Sequence, residues 1–197
     1  GQPFPRPGAG LSNRQKAQFE GIARDTWRYF ERTVTADDHF LPPDNLQSLP
    51  HEMLAHRTSP TNIGLYLLAT ACARRFGWID RTQMRSRLRD TLASMAMMQR
   101  HRGHFLNWYD TQSLAPLPSR YVSTVDSGNL VASLIVMIQG CLELFDRPVI
   151  TAQQWEGGTD ALDVLEEVLD GLVASGLEPQ YARALRERME WLRDQLL

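Results

Sequence analysis

Ser59-Pro60-Thr61-Asn62-Ile63-Gly64-Leu65-Tyr66-Leu67-Leu68-Ala69-Thr70-Ala71-Cys72 opens on an N-cap serine and a proline in the first helical turn, where the missing N–H costs nothing. The run that follows, Ile63, Leu65, Leu67, Leu68, Ala69, Ala71 and Cys72, is apolar nearly all round a 3.6-residue period. Such a helix has no wet face, so the pattern predicts a buried helix from Pro60 to about Phe76. A second helix of the same kind is expected from Asp126-Ser127 through Leu130, Val131, Leu134, Ile135, Met137, Ile138 and Leu142 to about Phe145. Asp126 itself serves as N-cap or as a ligand-binding carboxylate, both readings being open.

The remaining helices read as amphipathic. Ser12 and Gln15 form a capping-box pattern opening a helix that runs to about Thr33. Asp80 and Gln83 repeat that pattern, with Met84, Leu88, Leu92 and Met95 on one stripe before basic residues and Gly103 end the helix. Thr159 is read as the cap of a fifth helix ending near Gly176, and Glu178-Pro179 as the start of a sixth. No region alternates in the manner of a sheet, so the class is all-α. Residues 1–11 read as a Pro/Gly-rich arm or linker and 12–197 as one helical segment.

Amphipathic helices alternating with apolar ones are what an α/α toroid of outer and inner helical hairpins requires, its inner ring being covered on both sides. A complete toroid of six hairpins needs about twice this chain at ~1.5 Å rise per residue. The expectation is therefore about half of one.

Composition narrows the function. A formal net charge of -2 gives no cationic excess to neutralise a phosphate backbone, which argues against nucleic acid. Cys72 and Cys141 sit in apolar helical runs without CxxC spacing and are expected to be buried reduced thiols. No signal-peptide pattern opens the chain, and no apolar stretch is read as long enough to cross a bilayer, so the segment is expected to be soluble. His56, His104, Asp110 and Asp126 lack HExxH or comparable spacing, and no phosphate loop or GxSxG elbow occurs. Neither a metal nor a cofactor is implied.

Two connections, at about 34–58 and 101–125, are unusually long for a helical array, and such loops tend to carry function. If neighbouring helices run antiparallel, both loops leave the same end and both enter an apolar helix, so they should converge. The first holds Asp44 and leads to Arg57 and Asn62 beside the free N–H groups of the next helix. The second interleaves aromatics with amides and an acid: His104, Phe105, Asn107, Trp108, Tyr109 and Asp110. An aromatic face covers the C–H side of a pyranose while Asn and Asp bond its hydroxyls. The same residues could equally plug the loop onto the core. Substrate contact is expected from Arg57, Asn62, His104, Asn107, Trp108, Tyr109, Asp110, Asp126 and Asn129, with Asp126 and Asp110 as candidate catalytic carboxylates.

Four ordered stretches carry a resemblance: Leu41-Pro42-Pro43-Asp44-Asn45, Ala55 to Tyr66, Gly103 to Thr111 and Val122 to Leu130. Over about residues 12–145 the chain resembles the glucoamylase-like middle region of bacterial cyclic β-1,2-glucan synthases. That resemblance implies an α/α toroid that closes a linear β-1,2-glucan into a ring by transglycosylation. It also implies flanking domains in one polypeptide and a place on the cytoplasmic side of the inner membrane. Retaining transfer uses two carboxyl groups about 5–5.5 Å apart. No Glu lies in the four matched stretches, so the catalytic pair is expected partly or wholly beyond them.

Overall fold

A computed structural model describes residues 11–143 and 152–196, and the expected N-terminal arm falls almost wholly outside them. Six helices carry the described chain: α1 (Asn13–Thr33), α2 (Pro60–Arg75), α3 (Arg81–Met97), α4 (Thr124–Glu143), α5 (Ala152–Ala174) and α6 (Pro179–Leu196). Among the described residues, extended structure is confined to the loops. It comprises three two-stranded antiparallel ladders and an isolated bridge between Tyr109 and Pro116. The ladders join β1 (Leu46–Gln47) to β2 (Met53–Leu54), β3 (Arg57–Thr58) to β6 (Tyr109–Asp110), and β4 (Arg100–His101) to β5 (His104–Phe105). The all-α class expected from periodicity is the class observed.

Local chemistry sets the helix ends. Ser12 with Gln15 and Asp80 with Gln83 both close full capping boxes, and Ser59 caps α2 with Pro60 in its first turn. α2 ends in a Schellman motif: Trp78 N–H donates to Ala73 C=O and Gly77 N–H to Arg74 C=O, with Gly77 at φ 80°. Two expected starts are corrected. α4 begins at Thr124 with Ser123 Oγ accepting from Asp126 N–H at 3.2 Å, so Asp126 lies in the first turn and is not the N-cap. Thr159 lies inside α5, where its hydroxyl bonds back to Trp155 C=O and caps nothing. The expected end of α4 near Phe145 lies outside the described residues.

α2 is the hub of the fold, and α4 packs along it more extensively than any other pair of elements. Gly64 permits that approach: a Cβ there would sit 2.7 Å from Ser133 Oγ and 3.4 Å from Leu130 Cα. Tyr66 and Leu67 of α2, Trp27 of α1, Met84 of α3 and Leu130 of α4 meet in one buried core. α5 docks on the α2–α3 turn, where Trp78 Nε1 donates to Asp160 at 2.7 Å and a Cβ on Gly157 would lie 2.4 Å from the Gly77 carbonyl.

The covering of α4 differs from expectation. Leu130 and Met137 are buried, yet Val131, Ile135, Ile138 and Leu142 remain 55%, 57%, 58% and 53% exposed. The helix is covered by α2 on one side, and among the described residues nothing covers the other. The view that no apolar stretch could cross a bilayer is also corrected: Thr124–Glu143 is long and apolar enough by length and composition, while Leu130, Ser133 and Met137 are buried in the fold. The thiols are not buried either. Cys72 is exposed and Cys141 partly so, and both are free. Cys72 shares an arc of α2 with Leu65, seven residues earlier, which is also exposed.

Candidate functional site

The two long loops converge because each is tied down along its length. In the first, Thr91 Oγ1 donates to Phe40 C=O at 2.9 Å, Ser94 Oγ to His39 C=O, and Tyr29 Oη to Pro43 C=O at 2.8 Å. These bonds hold buried Leu41, Pro42 and Pro43 against α1 and α3 and leave Asp44 at the loop's edge. In the second, Tyr109 Oη accepts from Leu106 N–H and donates to Gln99 C=O. The loops then join edge to edge, β3 pairing β6 with Arg57 opposite Asp110 and Thr58 opposite Tyr109.

That ladder assembles a continuous polar strip at the N-termini of α2 and α4. Asp44 Oδ2 accepts from Arg57 Nη2 at 2.9 Å and Nε at 3.2 Å, while Asp44 Oδ1 accepts from Asn62 Nδ2 at 3.2 Å. The Arg57 guanidinium lies over the Trp108 ring, 5.1 Å from its centroid. Beside Asn62, Thr61 Oγ1 donates to Asp126 Oδ1 at 2.5 Å and accepts from Asn129 Nδ2 at 3.1 Å. Trp108, Arg57, Asp44, Asn62, Thr61, Asp126 and Asn129 thus form one connected surface built from both loops.

Beside it lies a second polar knot that sequence reading missed. Asp38, with a side chain 3% exposed, accepts from Thr111 Oγ1, and the ring Nδ1 of His56 lies 2.8 Å from its Oδ1. His39 Nδ1 meets Thr111 C=O at 2.9 Å, and Thr111 N–H donates to His56 C=O. No sequence signal marks this set, because Asp38, His56 and Thr111 are brought together only by the folding of the loops.

Two of the expected contact residues lie inside the loop. Tyr109 is fully buried with its hydroxyl satisfied inside the loop, which also pushes its pKa up through burial. Asn107 is 4% exposed and braces the loop by exchanging bonds with the Tyr121 backbone. Both shape the loop from within. His104 is exposed in the β4–β5 hairpin and shares no hydrogen bond with the Arg57 cluster. Asp110 Oδ1 accepts from Gln112 N–H, Ser113 N–H and Ser113 Oγ, so this carboxylate organises its own turn.

The charges are set locally. Burial works against the ionised form of Asp44, but the bonds from Arg57, Asn62 and Asn45 and the Arg57 charge prevail and hold it below its ordinary value. Asp110 is also lowered, its burial outweighed by the hydrogen bonds from Ser113 and Gln112. A carboxyl lowered in the folded state contributes stability above its ordinary value of 3.8, lost as pH falls through the folded value. Melting temperature is therefore expected to drop on acidification from pH 5 to about 3, and less steeply in Asp44→Asn; an equally steep drop in that variant would remove Asp44 as a cause.

Comparison with known proteins agrees with this architecture. The chain is 49% identical over 163 residues to the cyclic beta-(1,2)-glucan synthase NdvB of Rhizobium meliloti (strain 1021), a match covering 82% of this chain and 6% of that protein. A crystal structure from Bacteroides fragilis NCTC 9343, named as a glucoamylase, superposes with a TM-score of 0.53 at 14% identity. That superposition covers 67% of this chain and 32% of the other, and it places the fold among glucoamylase-like α/α architectures. Residues 21–143, more than half of the chain and the whole of the two converging loops, match the family model described as a protein of unknown function (DUF3131), and the chain belongs to that family.

Proposed function

We propose that this chain supplies the substrate-binding loops of a β-1,2-glucan-processing domain that closes linear glucan into rings by transglycosylation. The observation that carries the reading is the strip from Trp108 through Arg57, Asp44 and Asn62 to Thr61 and Asp126, built where two long loops meet. An aromatic ring beside fixed amide, guanidinium and carboxylate groups is the chemistry that grips a sugar. The 49% identity to a segment of a cyclic glucan synthase supports β-1,2-glucan as that sugar. Arg57 binds Asp44 through Nε and Nη2, and Nη1 has no protein partner among the described residues.

The open apolar face of α4 favours a further reading of the same piece: it docks against other helices of a larger polypeptide, as an incomplete α/α toroid does. By resemblance that polypeptide lies on the cytoplasmic side of a bacterial inner membrane. Residues 12–197 would then be one helical segment of the toroid, with the catalytic pair completed elsewhere in it.

Titration of the 197-residue chain with linear β-1,2-glucan, followed by tryptophan fluorescence, tests the binding role. We expect a saturable change that Trp108→Ala abolishes, with affinity about tenfold weaker by calorimetry, a loss of ~1.4 kcal/mol. Equal affinity in Trp108→Ala would mark the ring as a plug between loops and sink the strip as a sugar site.

A further inference from the structure

Asp38 and His56 lie beside the strip. Burying a carboxylate is costly unless it is hydrogen-bonded, and Asp38 meets that demand with Thr111 and His56. A carboxylate only accepts, so His56 Nδ1 is the protonated nitrogen, and in the neutral ring Nε2 is left as an acceptor. The His56 side chain is 40% exposed against 3% for Asp38. Nδ1 is the nitrogen turned to the buried Asp38, and Nε2 lies on the other edge of this exposed side chain. That nitrogen has no hydrogen-bond partner among the described residues, and His56 directly precedes Arg57, the first residue of the β3–β6 ladder.

We propose that His56, oriented by the buried Asp38, is a hydroxyl-binding residue of the glucan site, with Nε2 accepting from a glucosyl O–H. Holding Asp38 alone would need one donor on Nδ1; fixing the ring by a buried acid while its other edge stays open is the arrangement of an oriented ligand contact. This rests on the glucan reading above.

Asparagine and glutamine separate the two nitrogens. The Asn amide reaches Asp38 in place of Nδ1 and leaves the Nε2 position empty, whereas the Gln amide does the reverse. Calorimetric titration of the 197-residue chain with linear β-1,2-glucan, beside thermal melts, is expected to show His56→Asn melting with wild type and binding about tenfold more weakly. His56→Gln should melt lower and bind more tightly than His56→Asn. Wild-type affinity in His56→Asn, or weaker binding by Gln than by Asn, overturns the proposal. If Trp108→Ala weakens binding while His56→Asn does not, this inference alone fails. Absence of binding by the wild-type chain removes the glucan reading, and this inference with it.

Discussion

Gly64→Leu is expected to remove about 3 kcal/mol of stability, a fall of roughly 6–12 °C in melting temperature for a chain of this size. The physical cause is the close approach of α2 and α4 at this glycine. A single Cβ at Gly64 already meets Ser133 Oγ at 2.7 Å and Ser133 Cβ at 3.1 Å, and Leu130 Cα at 3.4 Å limits any sideways escape. Serine is too short to swing clear, and Leu130 presents backbone, so the helices must separate. Separation opens the buried core and lengthens the Thr61–Asp126 bond that joins their first turns, so glucan binding should weaken with stability. Gly140→Ala on the same α4 is the control. Nothing lies within 4 Å of its Cβ position, and helix propensity alone predicts a gain of about 0.5–1 kcal/mol. A Gly64→Leu chain melting with wild type would mean that α2 and α4 do not pack at this distance.

The parts of this fold legible in the sequence are those fixed by neighbours along the chain. Capping at Ser12, Ser59 and Asp80 depends on side chains reaching N–H groups three residues away, and all three helices start where those residues stand. Two other helices start earlier than the residues that mark them in the sequence. Ser123 captures the start of α4 ahead of Asp126, and Thr159 is absorbed into α5, whose Gly157 and Asp160 are needed against the α2–α3 turn. Loop length foretold convergence, which brought Arg57, Asn62, Trp108, Asp126 and Asn129 together. It could not foretell which loop residues turn inward. Tyr109 and Asn107 carry the same chemistry as Trp108 and Asp110 but are buried as braces, and Asp38 finds His56 only through contacts 18 residues apart in sequence.

Asp126→Asn is expected to weaken glucan binding by about 1.5–3 kcal/mol, more than tenfold, with little change in melting temperature. Because Ser123 is the cap, the substitution leaves the start of α4 untouched. An Asn side-chain oxygen still accepts from Thr61 Oγ1, so the tie between α2 and α4 also survives. What disappears is the negative charge and one acceptor oxygen, placed in the first turn of α4 and linked through Thr61 to Asn129. A glucosyl hydroxyl donating to that carboxylate loses a charge-assisted bond, which is the strong kind, and the loss should appear in affinity alone. Thr61→Val supplies the complementary measurement, since it removes the tie but keeps the carboxylate, and should lower melting temperature more than affinity. Wild-type affinity in Asp126→Asn, together with a destabilised Thr61→Val, would confine Asp126 to joining the two helices. The sugar site would then end at Asn62, without this carboxylate.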